Sequence, residues 1–277
     1  MRVLPAPSSL PAVPLGHLST TAARVAYHGL LGQPDWRVLG SHTLYACVDA
    51  PLVLSLRVDA GAVNARTVRA HTVWVPPQVP HRIAAASESA TFLCVMVEPE
   101  SVLPLALPWP AGEPPGDARQ WLARAEQVCA ALDAQPDGLA LDDAALDALL
   151  FGAALPARVL DDRIAAVVAR MALEPAEVTD AAEAAAGCGL SVSRFLHLFK
   201  AELGVSWRTF RAWKRARSLL PCVRSGDNLT AIALALGYPD ASHFSHTIRQ
   251  VTGFRPSEIV AGARSVRVMS DEDKAER

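Results

Sequence analysis

The stretch 193-SRFLHLFKAELG-204 returns as 242-SHFSHTIRQVTG-253, and this repeat decides the fold of the C-terminal part of the chain. At a constant offset of 49 residues (193 to 242, 204 to 253), serine, phenylalanine, histidine, a basic residue and glycine recur in the same order. On a helix the large apolar residues of each copy share one face, and a polar-to-basic stripe lies opposite. Each copy therefore predicts an amphipathic helix that a glycine ends.

The sequence before each copy completes a helix-turn-helix unit. Before the second copy, apolar residues recur with helical spacing over residues 229–236, and a glycine turn leads to Asp240 as the N-cap. Before the first copy, the turn is 187-GCG-189 and the N-cap is Ser191. Between the units, 207-WRTFRAWKRARSLL-220 predicts a connecting helix, whose basic residues are Arg208, Arg211, Lys214, Arg215 and Arg217.

Tandem units of this kind suit double-stranded DNA. Two recognition helices that enter the same face of DNA lie about one helical turn, roughly 34 Å, apart, and a connecting helix of about 14 residues spans roughly 21 Å. Basic residues around that helix would neutralise phosphates. An all-α bundle with solvated basic faces is the alternative, which the matched repeat disfavours. The candidate DNA contacts are Ser191, Ser193, Arg194, His197 and Lys200 in the first unit, Ser242, His243, Ser245, His246 and Arg249 in the second, and Arg208, Arg211 and Arg255 on phosphates.

The charge of the chain is unevenly distributed. The formal net charge is −2, but residues 191–267 hold 12 Lys and Arg against 4 Asp and Glu, a net charge of +8. Residues 1–160 hold 10 against 14, a net charge of −4, and an acidic tail, 270-SDEDKAER-277, ends the chain. A basic segment that contains both predicted recognition helices favours a nucleic-acid partner, which the total charge alone does not.

Composition excludes other classes of protein. A hydrophobic fraction of 51% excludes a mostly disordered chain, and the apolar runs are too short to span a membrane. The five cysteines stand singly, without zinc-ligand spacing, which indicates reduced thiols in the cytoplasm. The proline-interrupted start, 1-MRVLPAPSSLPAVPLGHL-18, predicts an extended leader rather than a signal peptide.

The N-terminal part predicts a small β-sandwich or barrel. Its candidate strands are Thr43–Val48, Leu52–Val58, Ala65–Arg69, Thr72–Val75 and Thr91–Val97. The proline-rich stretch 104–116 separates them from predicted helices at about Asp117–Leu132, Asp142–Leu155 and Asp161–Leu173. The expected division is an N-terminal domain (1–110), a helical linker or dimerisation region (111–160), a DNA-binding domain (161–265) and an acidic tail (266–277).

Residues 178–260 resemble the DNA-binding domain of the AraC/XylS family of bacterial transcription regulators. The clearest stretch is 229-LTAIALALGYPDASHFSHTIRQVTGFRPSEI-259. The resemblance implies seven helices with two helix-turn-helix units, binding to promoter DNA, and usually activation, with RNA polymerase and a second copy of the chain as further partners. Neither His197 nor His246 has the bidentate fork that arginine offers to guanine, so each could contact a base, a phosphate or a neighbouring side chain.

The motif 74-WVPPQVPHRI-83 resembles the second cupin motif, with Gln78 where glycine is usual. In metal cupins a histidine at the position of His81 is one of four ligands, but residues 49–61, where the others would lie, contain no histidine. We therefore expect no metal, no cofactor and no enzymatic activity. An apolar interior suits a small effector, and the candidate pocket residues are Trp36, Tyr45, Leu54, Trp74, His81 and Phe92.

Taken together, these patterns predict an α+β multidomain chain: a cupin-like β-barrel, a helical linker, and an all-α tandem helix-turn-helix domain. The predicted function is that of a DNA-binding transcription activator that responds to a small molecule. Two alternatives stay open, a cupin-type enzyme fused to a DNA-binding domain and a DNA-binding regulator without a small ligand. The apolar face of the helix that holds Trp121 and Leu132 fits dimerisation, which we favour, or packing on the barrel.

Overall fold

The structure, a computed structural model, describes residues 16–30, 34–57, 65–85, 87, 90–103, 106–107, 109–112, 117–135, 140–174, 180–219, 229–263 and 266–270. The strands are β1 (Gly16–Thr20), β2 (Arg24–Leu30), β3 (His42–Ala46), β4 (Leu52–Leu56), β5 (Arg66–Ala70), β6 (Thr72–Val75), β7 (His81–Ala85), β8 (Thr91–Val97) and β9 (Val266–Ser270). The helices are α1 (Ala118–Ala134), α2 (Asp143–Phe151), α3 (Asp162–Leu173), α4 (Ala181–Gly187), α5 (Val192–Leu203), α6 (Trp207–Arg217), α7 (Leu229–Ala235), α8 (Ala241–Thr252) and α9 (Pro256–Ala263).

The N-terminal domain is built from a six-stranded sheet, in the order β6-β3-β8-β2-β1-β9, and a three-stranded sheet, in the order β5-β4-β7. Side chains alternate between buried and half-buried along β4 because successive residues of a strand point to opposite faces. The inner faces of the two sheets pack together through Tyr45, Leu54, Ile83, Phe92 and Cys94. The β-rich N-terminal domain and the helical C-terminal domain are thus as predicted.

Helices α1 and α2 cover the outer face of the six-stranded sheet. An aromatic cluster fills this layer, with ring centroids 5.0 Å apart for Trp74 and Trp109, and 5.6 Å apart for Trp109 and Trp121. Val128 and Leu132 are fully buried in the same layer. The favoured expectation that this face of α1 mediates dimerisation is therefore wrong, because the protomer itself buries it.

Strands β1 and β9 correct the predicted ends of the chain. The predicted leader reaches residue 18, yet Gly16–Thr20 pairs with β2, and the predicted acidic tail starts at 266, yet Val266–Ser270 pairs with β1 in parallel. Both strands are five residues long, and β9 pairs with a strand about 250 residues earlier in the chain, so local pattern gave no sign of that pairing. The remaining residues of the predicted leader and tail, 1–15 and 271–277, lie outside the described residues.

Two further features concern membrane spans and cysteines. Within the described part of the chain, no helix combines the length and the apolar character needed to cross a bilayer. Cys47, Cys94, Cys129 and Cys188 are free thiols.

Candidate nucleic-acid interface

The first helix-turn-helix unit consists of α4 and α5. The Ser191 hydroxyl caps α5 by accepting a hydrogen bond from the backbone N–H of Arg194, and Gly204 ends the helix in a left-handed conformation (φ +73°). The apolar face of α5 is buried through Phe195 and Phe199, both fully inaccessible to solvent. The outward stripe predicted from the repeat is thereby left facing solvent.

The second unit, α7 and α8, repeats this construction. The Asp240 carboxylate caps α8 by accepting from the His243 N–H at 2.7 Å, and Gly253 ends it with φ +80°. Phe244 and Ile248 are fully buried against α7 and the connecting helix α6. We call α5 and α8 the recognition helices below.

Every residue predicted to contact DNA from a recognition helix or its N-cap is exposed: Ser191, Ser193, Arg194, His197, Lys200, Ser242, His243, Ser245, His246 and Arg249. Among the predicted phosphate contacts, Arg208 and Arg255 are exposed, while Arg211 is half-buried with its guanidinium 5.8 Å from the Trp207 ring centroid. These exposed side chains are polar or basic, as a DNA-contacting surface requires, and the apolar Val192 and Leu196 are exposed beside them on α5.

The connecting helix α6 is shorter than predicted, and some of its basic side chains are turned toward the N-terminal domain. It spans 11 residues, or roughly 16 Å at 1.5 Å per residue. Lys214 is buried and Arg217 is half-buried, and both form ion pairs with Glu98 of the N-terminal domain. The expectation that basic residues on all sides of this helix neutralise phosphates is therefore wrong for these two.

Comparison with known proteins agrees with this geometry. A family model described as a helix-turn-helix domain matches residues 184–261. The chain is 35% identical over 72 residues to the invasion protein InvF of Salmonella typhi, which covers 26% of this chain and 33% of that protein. It is 35% identical over 86 residues to the arabinose operon regulatory protein of Escherichia coli K12, which covers 30% of this chain and 29% of that protein. The chain thus spans about a third of the length of these relatives.

Residues 184–261 form a helix-turn-helix domain that is similar to part of InvF and of the arabinose operon regulatory protein, and we call it the AraC-type domain below. A similarity to ToxT of Vibrio cholerae extends over both domains. The TM-score is 0.55 at 11% identity, and the alignment covers 87% of this chain and 98% of that one. A second ToxT structure, bound to (E)-4-(8-methylnaphthalen-1-yl)but-3-enoic acid, gives a TM-score of 0.53 at 12% identity, over 87% and 99% of the two chains. These likenesses establish the two-domain fold.

A buried charge cluster joins the AraC-type domain to the N-terminal domain. The Glu98 carboxylate, 1% exposed, accepts from Lys214 Nζ at 2.6 Å and from Trp213 Nε1 at 3.0 Å, and it lies 3.2 Å from an Arg217 nitrogen. Lys214 also donates to Glu100. Burial alone would raise the pKa of Glu98, but the charges of Lys214 and Arg217 outweigh it and lower that pKa. Glu98 therefore remains ionised and ties α6 to the end of β8.

The N-terminal domain also contacts both recognition helices at equivalent positions. The Gln78 side chain donates to the Gly204 carbonyl at 3.1 Å and accepts from the Ser206 N–H at 2.9 Å. The Asp35 N–H donates to the Gly253 carbonyl at 2.8 Å. Gln78 itself has φ +65°, so it occupies the left-handed conformation for which the cupin pattern has glycine. We call these two hydrogen-bonded points the cap contacts, because each involves the glycine that ends a recognition helix.

One predicted DNA contact is engaged within the protein. Arg249 forms an ion pair with Asp35, with 2.7 Å between guanidinium nitrogen and carboxylate oxygen. Both side chains remain about half exposed, at 51% and 46%. The Asp35 carboxylate therefore competes with any phosphate for Arg249.

The barrel interior contains four of the six predicted pocket residues. Tyr45, Leu54 and Phe92 lie between the two sheets, and the fully buried His81 accepts a hydrogen bond from the Tyr45 hydroxyl at 2.9 Å. The other ring nitrogen of His81, Nδ1, donates a hydrogen bond to the Val79 carbonyl at 2.8 Å. Burial lowers the pKa of His81 to about 3, so the ring is neutral at pH 7 and both ring nitrogens have partners within the protein.

The other two predicted pocket residues lie elsewhere. Trp74 pairs with Leu44, and paired residues share one face of a sheet. Tyr45 follows Leu44 along β3 and points inward, so Leu44 and Trp74 point to the opposite face, which the helices cover. Trp36 is half-buried and stacks on Arg57, whose guanidinium carbon is 4.0 Å from the ring centroid. The prediction that both residues line the barrel interior is therefore wrong.

Sequence reasoning missed Arg37, the most unusual polar residue near this interior. It is 5% exposed, and its guanidinium lies 5.0 Å from the Tyr45 ring centroid and donates to the Thr252 carbonyl at 3.3 Å. Its Nε and second terminal nitrogen are buried and lack a hydrogen-bond partner among the described residues. Arginine is rarely buried, and nothing in the stretch 34-PDWRVLG-40 distinguishes this one in the sequence.

Proposed function

We propose that the protein is a sequence-specific transcription regulator, an activator, that binds double-stranded promoter DNA through α5 and α8. The observation that carries this proposal is the pair of matched helix-turn-helix units with exposed polar and basic faces. Its partners are promoter DNA, a small effector and RNA polymerase. It acts in the cytoplasm, without catalytic activity, and a homodimer would form through a surface other than the apolar face of α1.

Salt-dependent DNA binding tests this function. Replacing Lys200 with alanine is expected to weaken binding to the DNA upstream of the gene and to lower the slope of log affinity against log salt by about 1. Arg249→Ala is expected to have a smaller effect, because Arg249 must first leave Asp35. Fluorescence anisotropy at several salt concentrations measures both changes.

The matched control is Arg119→Ala, which removes the same charge from the exposed surface of α1. It should leave affinity and salt slope unchanged. Affinity that does not depend on salt, or equal losses for Arg119→Ala and Lys200→Ala, would contradict the proposed interface.

The effector that the barrel supports best is a small carboxylic acid. Leaving two guanidinium nitrogens of Arg37 buried without partners costs free energy that an anion would recover. The Tyr45 ring, 5.0 Å from the Arg37 guanidinium, lies in the same interior. ToxT, which has this fold, holds a carboxylic acid in one of its structures. Because Arg37 also donates to Thr252 at the end of α8, such an effector would reach a recognition helix directly.

A thermal-shift comparison of carboxylic acids with their amides tests the effector. We expect acids to raise the melting temperature of the wild type by about 2–4 °C per kcal/mol of binding free energy, and amides to leave it unchanged. Arg37→Met should abolish the shift, whereas Arg82→Met, on the exposed surface of β7, should retain it. If no acid stabilises a protein that still binds DNA, the regulator without a small ligand is favoured instead. An acid recovered chemically altered would favour the enzyme.

A further inference from the structure

We infer that His17, His28 and Asp133 form a binding site for a divalent transition-metal ion, with Zn²⁺ as the reference occupant. The three residues come from β1, β2 and the last turn of α1, at the junction of sheet and linker helix. This site is separate from the barrel interior and from the DNA-facing surface. It therefore does not depend on the function proposed above.

The backbone brings the ligands together without any local sequence motif. His17 and His28 are direct partners in the antiparallel pairing of β1 with β2, which places their side chains on the same face. Both histidines turn Nδ1 toward one carboxylate oxygen of Asp133, at 2.6 Å from His17 and 3.0 Å from His28. One ligand atom from each residue lies within 4.8 Å of the other two.

The ligand set matches borderline transition metals. Imidazole nitrogen and carboxylate oxygen bind Zn²⁺ at about 2.0–2.2 Å, which places the ligand atoms of a tetrahedral site roughly 3.3 Å apart. The two nitrogen-to-oxygen distances, 2.6 and 3.0 Å, are shorter than this, so small side-chain rotations would admit the ion. Two imidazoles and one carboxylate leave a fourth position for water, and Asp133, 49% exposed, leaves this side open to solvent.

The surrounding charges favour a cation at this point. Asp133 stands in the last turn of α1, where the partial negative charge of the helix end attracts positive charge. His17 is only 10% exposed, so its ring is held in place by the protein. Arg267, opposite His17 in β9, opposes a cation, but its guanidinium donates to the Gln135 carbonyl at 3.4 Å and so is held at the end of the helix.

Without an ion, the same atoms form a satisfied cluster in which both imidazoles donate to one carboxylate. The alternative is therefore a purely structural hydrogen-bonded triad. The two alternatives differ in metal affinity. In a metal site the ion replaces the protons that the imidazoles donate to the carboxylate, whereas a purely structural triad binds no metal. A bound ion would also join the end of α1 to β1 and β2, which adds stability in proportion to its occupancy.

Calorimetric titration of untagged, EDTA-treated protein with Zn²⁺ tests the inference. We expect one equivalent to bind and to raise the melting temperature. Co²⁺ should bind the same site with visible d–d bands of nitrogen and oxygen ligation. Cys129 lies one turn before Asp133 on α1. A strong thiolate charge-transfer band would show that a cysteine ligates the metal and would overturn the ligand set.

Two variants separate metal binding from folding. Asp133→Asn keeps an oxygen that can accept the histidine hydrogen bonds, and His28→Gln alters a half-buried position. Each should weaken Zn²⁺ binding by more than about tenfold, since losing even an outer-shell partner costs 10–100-fold, while the melting temperature in EDTA stays near that of the wild type. His71→Gln, a histidine outside the cluster, should bind as the wild type does. Equal Zn²⁺ affinity in the wild type and Asp133→Asn would overturn the site.

Discussion

Replacing Glu98 with alanine is expected to lower the free energy of unfolding by about 3–5 kcal/mol, because removing one partner of a buried ion pair leaves the other charge uncompensated. Lys214 would keep only Glu100, whose pKa is raised by burial. Trp213 Nε1 would lose its acceptor. Urea unfolding measures the loss, and hydrogen exchange along α6 shows whether the two domains separate.

The matched control is Asp147→Ala, which breaks a buried ion pair between α2 and β2. Asp147 accepts from Arg24 at 2.8 and 2.7 Å, and both side chains are about 5% exposed or less. Its loss should cost a similar free energy but leave exchange along α6 unchanged. Identical exchange along α6 in Glu98→Ala and the wild type would show that the cluster does not hold the domains together.

Replacing Gly253 with alanine is expected to cost clearly more than the same change at Gly204. Both glycines have a left-handed conformation, φ +80° and +73°, in which alanine costs about 1–2 kcal/mol. A methyl group at Gly253 would lie 2.6 Å from the Asp35 carbonyl oxygen, whereas at Gly204 it meets nothing within 4 Å. Overpacking of this kind adds roughly 1–3 kcal/mol.

Because the two glycines occupy equivalent positions in the repeat and both carbonyls accept from the N-terminal domain, their difference isolates the close approach of the Asp35 backbone to Gly253. Urea unfolding gives the two free energies, and hydrogen exchange reports on the Asp35 and Val38 amides, which donate to the end of α8 at 2.8 and 3.1 Å. These amides should lose protection in Gly253→Ala only. Equal losses of stability in the two variants, with both amides still protected, would contradict the structure at this contact.

The helical elements of the AraC-type domain were predictable because their signals are local. The offset of 49 aligned α5 with α8, and the capping residues Ser191 and Asp240 stand where the pattern placed them. Burial of Phe195 and Phe244 follows from helical periodicity alone. Exposure of the predicted DNA contacts follows in turn, since the opposite face of such a helix must meet solvent.

What escaped prediction depends on partners far away in the chain. Lys214 resembles its basic neighbours in sequence, and only Glu98, 116 residues earlier, determines that it is buried. The sequence pattern predicted that Trp74 faces the barrel interior, and only the register of β3 and β6 places it on the face of the sheet that the helices cover. Asp133 gains its two histidines only when α1 lies across β1 and β2, so no motif spacing could reveal that cluster.

The cap contacts have an entropic consequence. The N-terminal domain holds α5 and α8 through the carbonyls of Gly204 and Gly253, so their relative orientation is set in the free protein. Modules joined by a loose tether lose conformational freedom when both engage one ligand, and that loss weakens binding. Here the ordering has already taken place on folding. A signal that released either contact would therefore lower affinity for a two-part DNA site without altering any residue that touches it.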